Sequence, residues 1–326
     1  MSMKDKRVLV TGASGFIASH LVRRLVSEGA QVGAMVRYAA AIACPRLADV
    51  WDRIDPLEAD VRNRGALALV KAAFQPEIVF HLAAYNHVGR SWNQVEECFD
   101  VNARGTANMI DLFAGSSCAA FVYVSTSEVY GAQTSVPWAE TTHTPTPQSP
   151  YAVTKYAGEQ YAAMWQRETD DPKSECLRIV RPFNAYGPGQ STHAVIPEII
   201  TACVNDADVM TSPGQQTREF NYVGDVVDGL IRAAKASPFT GPVNICCGEE
   251  TRLEDLIRLV KDLTQSESSL NIGALPYRPN EIMRMAGDNA RARALLGWEP
   301  CVSLRDGLAQ TVEWFADRAR SGVQAT

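Results

Sequence analysis

Tyr151 and Lys155 stand four residues apart in SPYAVTK, and on a helix positions i and i+4 share one face. A phenol beside an ammonium makes an acid–base pair. The positive charge stabilises phenolate and brings a group whose free pKa is about 10 toward working pH. Upstream, Ser125-Thr126-Ser127-Glu128 supplies hydroxyls and a carboxylate directly after the apolar run AAFVYV. The Tyr-x-x-x-Lys spacing is common by chance. Its weight comes from this neighbouring cluster and from a glycine turn near the start of the chain.

These groups need a scaffold. Residues 7–11, RVLVT, read as a buried strand, followed at once by Gly12-Ala-Ser14-Gly15. Phe16, Ile17, Leu21, Val22, Leu25 and Val26 then recur at helical spacing until Gly29 stops the helix. Residues 32–36, 77–83 and 119–125 read as further strands, and residues 95–113 as a helix. Such alternation predicts an α/β fold, a Rossmann-type doubly wound parallel sheet, which places ligands at the carboxyl ends of its strands. The motif Gly12-x-x-Gly15-x-x-Ala18 falls at the first strand–helix junction. There Gly12 makes the tight turn, Gly15 lets amides approach a pyrophosphate, and Ala18 permits close helix packing. At the end of the second strand an acid selects NAD and an arginine NADP. Val36 stands at the acidic position and Arg37 follows, which favours NADP, with NAD as the alternative.

After Pro182 prolines recur and the alternation fades. Residues 242–246 return to a buried-strand pattern expected to rejoin the first sheet. Residues 253–263 and 304–319 read as helices, and 276–279 as a loop. The expected division is a cofactor domain of residues 1–182 plus 222–248, with a smaller interleaved C-terminal substrate-binding lobe of residues 183–221 plus 249–326.

The 326 residues carry 31 Lys+Arg against 37 Asp+Glu, a net charge of −6, with 46% hydrophobic content. That is too apolar for a disordered chain and lacks the basic footprint of a nucleic-acid or membrane-surface binder. The eight cysteines show no CxxC spacing and read as small buried hydrophobes, with no metal site. The start carries no signal-peptide pattern, and no run reaches a membrane span, so the expected location is cytoplasmic.

In order along the chain, TGASGFIASHL, VFHLAA, DVNARGT, STSEVYG, SPYAVTK, RPFNAYGPGQ, TREFNYVGDVV and VNICCG resemble the extended short-chain dehydrogenase/reductase family, and within it the nucleotide-sugar 4,6-dehydratase group. Ala18 departs from the third glycine of many relatives but stays small. The resemblance implies that Tyr151 is the base for a sugar 4-hydroxyl and that Lys155 lowers its pKa and holds the nicotinamide ribose. Thr126, or else Ser125, would hydrogen-bond the same oxygen. Gly12, Ser14, Gly15, Phe16 and Ile17 would hold the cofactor's phosphates. Arg37, Asp60, Val61, Leu82, Ala83 and Ala84 would line its remaining length, Asp60 at the adenine edge. His81 reads as a structural histidine.

Glu128 stands where 4-epimerases generally carry a small neutral residue and 4,6-dehydratases carry a glutamate that removes the C5 proton. The resemblance thus implies a 4,6-dehydratase giving a 4-keto-6-deoxy sugar. The same triplet occurs in UDP-glucuronate decarboxylases, and 4-epimerases and 4-keto-sugar reductases share the scaffold. Ser127, Asn184, Arg218 and Arg278 are the expected substrate contacts, the arginines on the diphosphate, whose oxygens match the planar guanidinium fork. Trp92, Tyr186 and His193 are candidates for touching the sugar. The helices over 95–113 and 151–165 match those that pair in homodimeric relatives.

Overall fold

In the computed structural model, which describes residues 2–39, 41–115, 118–168, 175–277 and 281–321, seven parallel strands form the central sheet. They are β1 Arg7–Thr11, β2 Gln31–Val36, β3 Asp55–Glu58, β4 Ile78–His81, β5 Ala120–Val124, β6 Leu177–Pro182 and β7 Pro242–Ile245. Their order is β7-β6-β5-β4-β1-β2-β3. The direction of winding reverses between β1 and β4, which opens a crevice at their carboxyl ends.

Both faces of the central strands are buried, so β1, β4 and β5 read as continuous apolar runs. Val8 and Val10 point into one core with Leu21, Val22 and Leu25 of α1 (Phe16–Ser27). Leu9 points into the opposite core with Phe121, Tyr123 and the helical residues Met109, Ile110 and Phe113. Residues 95–113 are helical, as expected, but not uniformly. Val95–Cys98 is α, Phe99–Arg104 is π, and Gly105–Phe113 is α again.

A third core lies beyond the sheet. Helices Val195–Val204, Leu253–Thr264 and Leu304–Arg320 bury Ile196, Ile199, Ile200, Leu256, Ile257, Leu308 and Phe315 together. Tyr186 belongs to this core, fully buried with its hydroxyl on Leu304 O at 3.3 Å, so its side chain does not face a ligand. Strand β7 pairs with β6, Val243 opposite Val180. The chain thus returns to the sheet after residue 204 before entering the third core again. Six of the eight cysteines are buried, Cys247 is half-buried and Cys301 exposed; none is bridged.

Candidate active site

The phosphate loop follows from β1 and α1. Gly12 adopts φ +65°, a left-handed conformation that favours glycine. Gly15 caps α1 in extended geometry, donating its own N–H to Gly12 O at 2.8 Å. No side chain caps that helix and no acid occupies its first turn, so its amides and dipole are available to an anion. The loop opens into a cleft of about 1060 Å³ lined by Gly12, Ser14, Gly15, Arg37, Asp60, Val61, Leu82, Ala83 and Ala84. Phe16 and Ile17 stand on the first turn of α1, half-buried and outside those walls. Arg37 is exposed on the cleft, beyond the buried Val36.

Asp60 lines the cleft with its oxygens engaged. Arg62 grips both, Nε at 2.9 Å and Nη2 at 2.6 Å, and its backbone N–H adds a third bond at 2.8 Å. This grip holds the Asp60 carboxyl below the usual carboxylate range. Arg62 also reaches Glu97 at 2.7 Å. Its role was not legible from the sequence, although its position two residues past Asp60 was a local signal.

His81 is fully buried between two threonines, with Nδ1 2.8 Å from Thr11 Oγ1 and Nε2 3.1 Å from Thr106 Oγ1. Burial lowers its pKa to about 3, so it is neutral. Thr11 Oγ1 also accepts from Ala83 N–H at 3.0 Å. This chain of bonds pins the cleft wall at Leu82–Ala84 to β1. His81 is structural.

Tyr151 and Lys155 lie on the helix Pro150–Glu168. Ser149 starts it, its hydroxyl accepting from Ala152 N–H at 3.1 Å, and Pro150 occupies the first position, where no N–H is needed. Lys155 is 2% exposed; its Nζ donates to Val124 O at 2.6 Å and stands 4.5 Å from the centre of the Tyr123 ring. Tyr123 returns a bond from its hydroxyl to Lys155 O at 2.8 Å, tying helix to strand. Burial lowers Lys155 to about 7. Burial also pushes the Tyr151 phenol well above its ordinary value, which a hydrogen bond with Thr126 partly offsets.

Thr126 lies two residues beyond β5 and caps the short turn Ser127–Tyr130, its hydroxyl accepting from Glu128 N–H at 3.2 Å. Its proton takes no part in that bond and can be donated toward Tyr151 or an oxygen beside it. Ser127 is buried in the same turn. Ser125 Oγ is buried and has no partner among the described residues. Glu128 is half-buried, and burial raises its carboxyl, with Glu281 adding to the rise and Arg218 opposing it. Arg218 is itself ion-paired with Glu281 and donates to Ile282 O at 2.6 Å. Asn184 is tied to Glu219 O at 3.3 Å and Met285 Sδ at 3.4 Å. Arg278 lies outside the described residues. Trp92 is 62% exposed and lines the cleft, whereas His193 is exposed, outside the lining but near enough to act on His87, which does line it.

The uncapped helix, the close glycine turn and the unsatisfied Ser125 hydroxyl fit a nicotinamide dinucleotide laid from α1 to β5. A family model described as GDP-mannose 4,6-dehydratase matches residues 9–311. The chain belongs to that family, within the extended short-chain dehydrogenases/reductases that modify nucleotide sugars. This family member is 32% identical to a UDP-glucose 4-epimerase of Mycolicibacterium smegmatis, over 96% of this chain and all of that one. It is 29% identical to a dTDP-D-glucose 4,6-dehydratase of Bos taurus, over 96% of this chain and 89% of that one. Its fold matches a double mutant of the dTDP-glucose 4,6-dehydratase of Streptomyces venezuelae, solved with NAD bound. There the TM-score is 0.85 at 28% identity, covering 96% and 98% of the two chains. Among the described residues no helix is long and apolar enough to cross a membrane.

Proposed function

We propose that the chain is a nucleotide-sugar 4,6-dehydratase that converts an NDP-hexose to its 4-keto-6-deoxy product. The observation that carries this reading is Glu128, a half-buried carboxyl set two residues past Thr126 and close enough to Tyr151 to act on its titration. In this reading Tyr151 takes the proton of the C4 hydroxyl while Thr126 donates to that oxygen. A nicotinamide dinucleotide held in the cleft would supply the acceptor for the C4 hydride and the donor for its return to C6. The C4 ketone acidifies C5–H, and Glu128 removes that proton. The C6–O bond breaks, and the hydroxyl leaves as water with the proton from Glu128. Hydride return to C6 and a proton to C5, balanced through solvent by the proton that Tyr151 took from the C4 hydroxyl, complete the product and restore Tyr151. Burial raises the Glu128 carboxyl, which makes it a stronger base toward the C5 proton while leaving it able to pass that proton to the departing hydroxyl.

Residues 1–182 with 222–248 hold the cofactor in this reading. Residues 183–221 with 249–326 hold the nucleotide sugar, with Ser127, Asn184, Arg218 and Arg278 as its contacts. Arg37, exposed on the cleft with Val36 where an acid would select NAD, favours NADP. The NAD seen in solved relatives supports the alternative. Tighter NAD than NADP binding, unchanged by Arg37→Ala, would sink the NADP assignment. A homodimer through the helices around 95–113 and 150–168 fits the exposure of Val95, Phe99, Val153 and Met164. A monomer in sedimentation at micromolar concentration counts against it.

A second reading, 4-epimerase, is favoured by the identity to the M. smegmatis enzyme. Incubation with GDP-, UDP-, dTDP- and CDP-hexoses separates the possibilities. Loss of water without net cofactor reduction is the expected outcome. An isomer of unchanged mass replaces the dehydratase by an epimerase, loss of carbon dioxide by a decarboxylase, and a need for added reduced cofactor by a reductase. Full turnover by Glu128→Gln refutes its role at C5.

A further inference from the structure

The helix Pro150–Glu168 buries a second charge one turn beyond Lys155. Glu159 is 1% exposed and follows Lys155 at i+4, the spacing that brings side chains together on one helix face. Arg181 on β6, 3% exposed, grips both carboxylate oxygens at 2.9 and 2.6 Å. The guanidinium lies 4.8 Å from the centre of the Tyr130 ring, and Tyr130 donates to Asn244 Oδ1 at 2.9 Å. The carboxylate is therefore held by a two-point grip from Arg181, whose guanidinium packs in turn on Tyr130. A buried ion pair is weak evidence for stability, because well-packed apolar residues often do as well. Its place next to the acid–base pair offers another reason for it.

Burial drives Lys155 and Tyr151 in opposite directions, the lysine down to about 7 and the phenol up. On burial alone, Lys155 gives up its proton before Tyr151 does, and is neutral when a phenolate needs it. The groups acting on Lys155 are Glu159 on its own helix, Tyr123 on β5, Cys98 on the helix Val95–Cys98, and His81 on β4, while Tyr151 precedes it by one helical turn. Burial holds Cys98, Tyr123 and Tyr151 in their protonated, neutral forms and keeps His81 uncharged. Among these groups Glu159 brings the negative charge, and it acts to hold the lysine's proton on.

We propose that Glu159, clamped by Arg181, is a positioning residue whose carboxylate keeps Lys155 an ammonium beside Tyr151. Glu159 touches neither substrate nor cofactor and acts through its field on Lys155. The proposal rests on the reading of Tyr151 and Lys155 as the acid–base pair.

The test reads Lys155 itself and needs no substrate. Full-length protein labelled with 13Cε-lysine yields a resonance assigned by its loss in Lys155→Met, and its pH midpoint is followed. E159Q leaves the Arg181 charge buried and unpaired, so E159Q/R181M, which removes both charges, is measured alongside it. The expected midpoint falls by about one pH unit or more, roughly a tenfold loss of ammonium at a given pH above it. E159D, which keeps the carboxylate, is expected to hold the parent midpoint. An unchanged midpoint in folded E159Q/R181M overturns the proposal, and so does an equal fall in E159D. Failure of every nucleotide sugar to react would instead count against the enzymatic reading, leaving these midpoints as readable as before.

Discussion

Replacing Gly12 by alanine is expected to damage the fold and the cofactor cleft together. Gly12 has φ +65°, and a Cβ there would stand 2.8 Å from Ala83 Cα and 3.0 Å from Ala83 N. Those backbone atoms have little room to retreat. Ala83 N–H is bonded to Thr11 Oγ1 at 3.0 Å, and Thr11 also holds His81 at 2.8 Å. The left-handed backbone costs an L residue about 1–2 kcal/mol, and crowding a packed site adds about 1–3 kcal/mol. Their sum, roughly 2–5 kcal/mol, corresponds to a fall in Tm of roughly 3–7 °C for a chain of this size. Because Gly12 and Ala83 both line the cleft, the same displacement weakens dinucleotide binding. Thermal unfolding without ligand and fluorescence titration with NAD and NADP measure the two effects. Gly89→Ala is the control: a Cβ there meets nothing within 4 Å, and it lies in the short helix Val88–Ser91. A Gly12→Ala protein that binds both cofactors within about twofold of the parent and unfolds within about 2 °C of it would refute the reasoning.

Two further outcomes concern stability. His81 is neutral in the folded chain, its pKa lowered by burial to about 3. Below its ordinary value near 6.5 the unfolded chain therefore takes up a proton that the native one refuses. Stability present above pH 6.5 is lost as pH falls, about 2 kcal/mol of it by pH 5, and urea midpoints at pH 7 and 5 should differ accordingly. Glu219 is fully buried and accepts from Cys247 N–H at 3.1 Å, Asn221 Nδ2 at 2.8 Å and Gly287 N–H. Glu219→Ala leaves three donors unsatisfied, at about 1–3 kcal/mol each. Denaturant unfolding should show a loss of about 3 kcal/mol or more.

Local chemistry was legible in the sequence where a residue's role depends on its near neighbours. The turn Gly12–Gly15, the run into α1 and the i,i+4 pair on the helix Pro150–Glu168 all announce themselves within a few positions. What stayed hidden depends on partners far along the chain. Strand β3 contains Pro56 and exposes both its ends, so neither alternation nor a buried run marks it; as the edge strand it tolerates the proline. Arg218 reads as a free cation for a diphosphate, yet Glu281, far along the chain, is its ion-pair partner. Asp60 reads as an acid waiting for adenine, yet Arg62 already grips both its oxygens.

Strand β6 is the sharpest case. Its sequence, LRIVRP, places two arginines in six residues, a pattern that argues against a strand buried on both faces. Both are nevertheless buried. Arg178 is accommodated by the carbonyls of Leu177 and Ala236. Arg181 needs a carboxylate, and the helix that brings Tyr151 and Lys155 delivers Glu159 to it. The strand concealed by its charges and the helix announced by its Tyr-x-x-x-Lys spacing are thus joined by one buried ion pair. Tyr123 adds a second tie, from β5 to the backbone of Lys155 itself. A shift of the helix along the sheet would break both, so the position of the acid–base pair is set by β5 and β6 together. The charge that makes β6 hard to read is the same charge that fixes where Lys155 sits.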